Sequence, residues 1–207
     1  MYYRCVKLMA LAAFIGVTMA VTARMAGATE PTPSPGEALV RSTIDSVKAL
    51  PASKGQPKVR RKLLDSIDSA MALDLLAEQA LGKQWAKLAG SERRRFVALF
   101  TEALEKLAYP RAAAFLSQVE LTFLGDERKG SSEIVRTMVA KGDNAKAPVV
   151  FDVAKRGIRW QIIDVTVDGE SLSKAVAARI QQTLKKGSYK KLVEELHKRV
   201  AEADKAS

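Results

Sequence analysis

The chain has 207 residues and a formal net charge of +11 at neutral pH. It has one cysteine, Cys5, and one histidine, His197. This composition excludes an internal disulfide and argues against a zinc site built from thiolates and a nucleophile–base triad, and the sequence contains no Gly-rich phosphate loop. The basic balance favours anionic partners such as lipid headgroups, nucleic acid or acidic protein surfaces, although it is also compatible with a role in solubility alone.

The N-terminus has the layout of a secretory signal peptide. Basic residues precede the apolar run Leu8–Val21, and a small-x-small cleavage motif follows at Ala26–Ala28. The run is shorter than the roughly 20 apolar residues of a membrane-spanning helix. We therefore expect a signal peptide over residues 1–28, export to the periplasm and no nucleic-acid partner. Cleavage after Ala23 and an uncleaved N-terminal anchor remain alternatives.

Apolar periodicity divides the rest of the chain into helices, then strands, then helices. Repeats every three or four residues indicate amphipathic helices, and alternation every two residues indicates strands. Helices are predicted over residues 37–50, 58–80 with a break near 71–73, 92–108, 111–117, 171–186 and 188–203. Strands are predicted over residues 119–124, 133–141, 149–155 and 159–167. A Pro-rich spacer, residues 29–36, precedes a single domain predicted over residues 37–204.

The clearest helix is the one predicted over residues 92–108. Ser91 is expected to cap its first turn, and Tyr109-Pro110 is expected to end it, because proline lacks the N–H that continues a helix. Its apolar stripe, which includes Phe96 and Phe100, is wide enough to face a core.

The order of these elements predicts an α+β fold. Short connections favour an antiparallel sheet in which consecutive strands are neighbours. A curved four-stranded antiparallel sheet packed with N- and C-terminal helices would form a cone that can enclose an apolar pocket. The residues alone do not distinguish such a pocket from a filled core.

Three polar features are candidates for chemistry. Asp164 lies within an apolar strand, where burial could raise its pKa and make it a general base; the favoured alternative is that it hydrogen-bonds to a nearby backbone or turn. His197 is interpreted as a surface residue. Lys185-Lys186 and Lys190-Lys191 form either a basic patch or ordinary solvated helix ends.

Five short motifs occur in a fixed order between Leu81 and Arg199. They are Leu81-Gly82 with Trp85; Arg94 or Arg95 with Phe96, Phe100 and Tyr109; Trp160–Val165; Asp168–Leu172; and Lys186–Tyr189 with Leu192 and Leu196. In this order, behind a signal peptide, the chain resembles the MlaC, or toluene-tolerance, family of periplasmic phospholipid-binding proteins. It departs from the family pattern at Glu170, where the family has valine, and at Ala177 and Ile180, where the family has arginine and an aromatic residue.

The resemblance implies a lipid carrier with no catalytic residues and no cofactor or metal. Such a carrier holds phospholipid acyl chains in an apolar pocket. It shuttles the lipid between an outer-membrane lipoprotein complex and an inner-membrane Mla-type ABC transporter complex, which maintains outer-membrane lipid asymmetry. It would act as a monomer. The side chains expected to line the pocket are Trp85, Phe96, Phe100, Leu104, Leu107, Tyr109, Phe115, Leu121, Phe123, Val139, Phe151, Trp160, Ile163 and Val165.

Three alternatives remain open at this point. A hopanoid or another lipid could replace the phospholipid in the same pocket. An enzyme would use Asp164 as a base, and its carboxylate would have to face an open pocket. A structural or interaction domain would have a filled core, with no space for an acyl chain.

Overall fold

The structure, a computed structural model, describes residues 32–142 and 145–206. The predicted signal peptide, residues 1–28, and the start of the predicted Pro-rich spacer lie outside this part. Within these two ranges no helix is both long and apolar enough to cross a membrane.

Helix α1, Pro35–Ala49, begins two residues earlier than predicted and includes the last two residues of the expected spacer. Ser34 is the N-cap: its Oγ accepts a hydrogen bond from the N–H of Glu37 at 3.1 Å. Pro35 is tolerated because its missing N–H would have no partner in the first helical turn. One face of α1 packs against the sheet, and this face carries the buried Val40 and Ile44.

Two helices follow, α2 (Pro57–Ala70) and α3 (Leu73–Leu81). The predicted break between them is confirmed, and a contact with the sheet explains it. The N–H of Ala72 donates to the carbonyl of Ile162 at 3.0 Å, and Met71 pairs with the same strand residue. The chain leaves the helical path here because its backbone bonds to the sheet.

A 3₁₀ turn, Gly82–Lys87, carries Trp85 and leads into helix α4, Gly90–Ala103. The predicted Ser91 cap is wrong, because the helix begins before it. The carboxylate of Glu92 accepts the N–H of Ala89 at 2.8 Å and holds the first turn.

The prediction that Tyr109-Pro110 ends this helical run is also wrong. The run passes through a π-helical turn, Leu104–Ala108, into helix α5, Tyr109–Leu116. In that turn the N–H of Tyr109 bonds to the carbonyl of Leu104, five residues back. The wider turn lets Pro110 follow near the start of a new helix, where its missing N–H is tolerated.

The sheet is curved, open and antiparallel, and its strands lie in chain order. They are β1 (Glu120–Lys129), β2 (Ser132–Lys141), β3 (Ala145–Arg156), β4 (Arg159–Val167) and the short β5 (Glu170–Ser171). The predicted α+β fold and meander are confirmed, with one two-residue strand added. β1 also extends past Gly125, which was expected in a loop. The register shifts between Phe123 and Gly125, so the strand continues through a bulge.

Helices α6 (Leu172–Lys186) and α7 (Tyr189–Ala206) complete the fold. The apolar interior contains three clusters of buried residues. The sheet cluster consists of Val40, Ile44, Val135, Val139, Val149, Phe151, Val153 and Ile162. The inner-helix cluster consists of Val47, Leu50, Leu64, Ile67, Tyr109 and Ala113. The outer-helix cluster consists of Ala77, Ala80, Leu81, Leu88, Phe96, Phe100, Ile180 and Leu192.

Candidate functional site

A groove of about 650 Å³ opens between α1 and α2 at the start of β4. This volume lies within the roughly 300–1,000 Å³ of typical ligand pockets. The residues that line it are Pro35, Ala38, Leu39, Ser42, Ser66, Ser69, Ala70, Arg159 and Trp160.

Small side chains make up most of the walls of the groove. Ala38 and Ser42 lie one turn apart on α1, as do Ser66 and Ala70 on α2, so each pair shares one face of its helix. Ser42 donates to the carbonyl of Leu39 at 2.9 Å, within its own helix. Ser69 likewise donates to the carbonyl of Ser66 at 2.9 Å within α2, whereas the hydroxyl of Ser66 accepts from that of Ser46 on α1 at 3.4 Å.

The groove leads towards the apolar interior. Leu39 and Trp160 line it and also pack against the sheet cluster. Met71 and Leu116 pack against both the sheet cluster and the inner-helix cluster. The floor of the groove is therefore continuous with the packed apolar interior at Leu39 and Trp160.

The structure divides the predicted lining residues among different parts of the interior. The sheet cluster or its border holds Leu121, Phe123, Val139, Phe151, Trp160 and Val165. The outer-helix cluster or its border holds Trp85, Phe96, Phe100 and Leu104, and Tyr109 belongs to the inner-helix cluster. Leu107 and Ile163 are half-buried outside the three clusters, and Phe115 is 45 % exposed. Lipid contact by each of these side chains stays a prediction.

Sequence reasoning missed the small residues and the cation of the groove. It searched for large apolar side chains, whereas the walls are made by residues such as Ala38, Ser42 and Ser69, and Arg159 lies at the mouth. Small residues spaced four apart on two consecutive helices were the available signal. They carry little information until the two helices are known to face each other.

A polar network lies beside the inner-helix cluster. Arg61 contacts the carboxylates of Glu105 at 2.9 Å and Asp68 at 3.3 Å. The hydroxyl of Tyr109 donates to Oδ1 of Asp68 at 2.9 Å. Burial raises the pKa of Tyr109, and the neighbouring Asp68 adds to the effect. The ring of Tyr109 therefore packs in the apolar interior, while its hydroxyl stays protonated and donates to the polar network.

Asp68 is the most perturbed acid of this network. Burial and its hydrogen bond with Glu105 raise the pKa of Asp68 to about 7, and the hydroxyl of Tyr109 and the charge of Arg61 oppose the shift. Its carboxyl group therefore keeps a proton in the folded protein at pH values where the unfolded chain, with a pKa of 3.8, has lost it. The contribution of Asp68 to folding stability is thus complete below pH 3.8. It decreases as the pH rises and is lost once the pH has passed through about 7.

We expect Asp68→Asn to remove this component of the pH dependence, because an amide is neutral at every pH and can still donate to Glu105. Solvent screens this partly exposed carboxyl group and reduces its effect. We expect the pH-dependent part of the free energy of unfolding to be about 1–2 kcal/mol, or about 3–6 °C in melting temperature. Thermal unfolding at pH 5 and pH 8 measures it. Asp65→Asn is the matched control, since Asp65 also contacts Arg61 but is largely exposed. Equal pH profiles for the wild type and Asp68→Asn would contradict the assignment.

Asp164 is a capping residue. Its Oδ1 accepts the N–H groups of Val165 at 2.8 Å and Ser173 at 3.1 Å, and its Oδ2 accepts the hydroxyl of Ser171. The carboxylate thus fixes the turn into α6 and does not face an open pocket. This geometry removes the basis of the enzyme interpretation and agrees with the favoured alternative.

The remaining polar candidates lie on the surface. His197 is exposed on α7, and the lysines of the possible basic patch, Lys185-Lys186 and Lys190-Lys191, are exposed around the α6–α7 connection. Among the residues that the structure describes, no group of three or more histidine, cysteine, aspartate or glutamate side chains is placed to hold a metal ion.

Together, the sheet, the helices and the groove define an α+β protein with a surface groove between two helices, bordered by the apolar core. The chain belongs to the MlaC family: the model of that family, described as MlaC protein, matches residues 37–198. The family resemblance found in the sequence is therefore confirmed.

A solved structure has a similar fold. It is the phospholipid-binding protein from Ralstonia solanacearum, in complex with a phospholipid. The two chains are 19 % identical, with a TM-score of 0.63, and the alignment covers 83 % of this chain and 99 % of the other. At this level of identity the similarity establishes a common fold. No curated protein matches the sequence.

Proposed function

We propose that this protein binds a phospholipid and carries it through the periplasm. The observation that carries the proposal is the groove between α1 and α2, two of whose lining residues, Leu39 and Trp160, also pack against the sheet cluster. Membership of the MlaC family and the phospholipid in the similar Ralstonia protein support it.

The energetics of such a carrier depend on enclosing the acyl chains. Each methylene removed from water contributes about 0.8 kcal/mol, so a chain of about a dozen gains roughly 10 kcal/mol. The free energy gained by burying the acyl chain in the protein offsets the loss of its apolar surroundings in the bilayer. The lipid can therefore cross the aqueous space inside the carrier. The headgroup stays hydrated at the mouth, where Arg159 supplies a positive charge for the phosphate.

In the full proposal the lipid moves between an outer-membrane lipoprotein complex and an inner-membrane Mla-type ABC transporter complex, and the carrier acts as a monomer. No bond is made or broken, so the protein needs only to bind, shield and release its cargo. The signal peptide predicted over residues 1–28 supports the periplasmic location.

Filling the groove should impair lipid transfer. We expect Ser69→Phe to slow the transfer of a labelled phospholipid between donor and acceptor vesicles severalfold, because the ring would occupy space between α1 and α2. The fold should tolerate the change, since Ser69 is exposed at the groove wall. Ser91→Phe, an exposed serine at the start of α4, is the matched control and should transfer lipid at the wild-type rate. Equal rates for Ser69→Phe and the wild type would place the lipid elsewhere.

A further inference from the structure

Two β-turns meet at one end of the sheet. The β1–β2 and β3–β4 connections of a meander lie on the same side, and here they touch: the N–H of Lys155 donates to the carbonyl of Ser131 at 2.7 Å. We name residues 128–131 and 155–159 the hairpin end. Their sequences, RKGS and KRGIR, contain five cations and no acid.

Much of this positive charge has no acidic partner. Among the ion pairs of the described residues, none includes Arg128, Lys155 or Arg159. The guanidinium of Arg128 lies over the ring of Trp160, 4.9 Å from its centroid, which leaves its charge uncompensated.

Two acids near the hairpin end are engaged in ion pairs, whereas the exposed Asp126 is in none of those that the described residues form. Asp74 forms a bidentate pair with Arg156, at 2.6 and 2.9 Å. Glu127 contacts Lys129 at 2.9 Å and Arg136 at 3.1 Å. The surface that remains is therefore a net cation patch, which is complementary to an anionic surface.

An apolar side chain projects from the middle of this patch. Ile158 is 90 % exposed, more than any other large hydrophobic residue of the described chain. Gly157, with a φ of +63°, forms the tight turn that presents it. A lone exposed isoleucine needs no explanation, but one flanked by Lys155 and Arg159 combines an apolar tip with cations, as interfacial membrane anchors do.

The patch adjoins the mouth of the groove, because Arg159 belongs to both regions and the next residue, Trp160, lines the groove. We propose that the hairpin end docks on the surface of an anionic phospholipid membrane, with Ile158 entering the headgroup layer. Docking in this orientation places the groove beside the lipids of the membrane. This inference extends the proposed carrier function and names the surface through which the carrier meets its lipid source.

Sedimentation of the mature protein with vesicles tests the proposal. We expect binding to vesicles of phosphatidylglycerol and phosphatidylethanolamine, little binding to phosphatidylcholine vesicles, and weakening by salt. The double variant Lys155→Glu/Ile158→Ser should bind at least about fivefold less, since one cation near an anionic surface contributes a factor of about five. Its melting temperature should stay at the wild-type value, because both side chains are exposed.

Lys185→Glu/Lys186→Glu and Leu124→Ser are the matched controls, and both should bind as the wild type does. The first reverses charges at the end of α6, and the second removes another exposed apolar side chain. Three results would overturn the proposal: no binding of the wild type to anionic vesicles, unchanged binding of the hairpin variant, or loss of binding in the Lys185→Glu/Lys186→Glu variant.

The lipid extracted from the purified protein is measured separately. If the protein contains lipid but does not bind vesicles, the proposed docking surface is wrong and the carrier function stands. If the protein contains no lipid, the carrier function itself is contradicted.

Discussion

Replacing Phe96 with alanine is expected to lower the free energy of unfolding by about 3–5 kcal/mol. The side chain is 1 % exposed and lies in the outer-helix cluster. Its ring centroid is 6.1 Å from those of Phe100 and Tyr189, so it joins α4 to α7. Truncation leaves a cavity between helices that the surrounding residues can fill only in part. Chemical denaturation followed by circular dichroism measures the loss.

Phe115→Ala is the matched control for this change. The sequence placed both phenylalanines at the lipid, but Phe115 is 45 % exposed on α5, and its loss should change stability by no more than about 0.5 kcal/mol. If Phe96 instead lined the lipid pocket, Phe96→Ala would mainly reduce lipid binding and leave the lipid-free protein almost as stable as before. That result would contradict the structural role assigned here.

Gly36→Ala should destabilise the protein by about 1–3 kcal/mol, although alanine normally favours a helix. A Cβ atom at this position would overlap with Oε1 of Glu133. Glu133 has little freedom to move, since it is 1 % exposed and its Oε1 accepts the N–H of Glu37 at 3.1 Å and the hydroxyl of Ser34. This contact fastens the start of α1, one wall of the groove, to strand β2.

A double-mutant cycle separates the steric effect from helix propensity. In a Glu133→Ala background, Gly36→Ala should lose its penalty, with a coupling energy of about 0.5–3 kcal/mol. Gly90→Ala is the matched control in a helical first turn, because its nearest foreign atom is Nη1 of Arg94 at 3.8 Å. It should be neutral or stabilise the protein by about 0.5–1 kcal/mol. Additive effects of Gly36→Ala and Glu133→Ala would rule out the contact.

Local patterns in the sequence predicted most of the fold because most elements have a recognisable periodicity. The strands contain alternating apolar and polar residues, with a change of phase at Ile162-Ile163 in β4, and their short connections leave an antiparallel meander as the natural arrangement. The break at Met71–Ala72 showed as a shift in the apolar stripe. Element ends were predicted less well where a distant or unusual contact decides them. Pro110 continues a helical run only because the preceding turn is π-helical, and β1 passes Gly125 only because β2 accommodates a bulge.

The candidate site was harder to predict, since it depends on which faces of the helices and strands pack against each other in the fold. Phe96 and Phe151 are both large, apolar and buried, yet they belong to different clusters on different elements. The groove walls are made by small residues such as Ala38 and Ser69, which have no distinctive pattern until α1 and α2 are placed side by side. Asp164 shows the same limit: its strand position suggested burial, while its carboxylate is fixed by the turn into α6.

Native mass spectrometry of the protein purified from the cells that produce it, followed by denaturing lipid extraction, tests the carrier function most directly. The proposal predicts a complex with one phospholipid in near-stoichiometric amount, and the extracted headgroup and chains would name the cargo. A hopanoid mass would retain the carrier and change its lipid. A protein mass without lipid, together with no uptake from liposomes, would contradict the carrier function and indicate an interaction domain with a filled core.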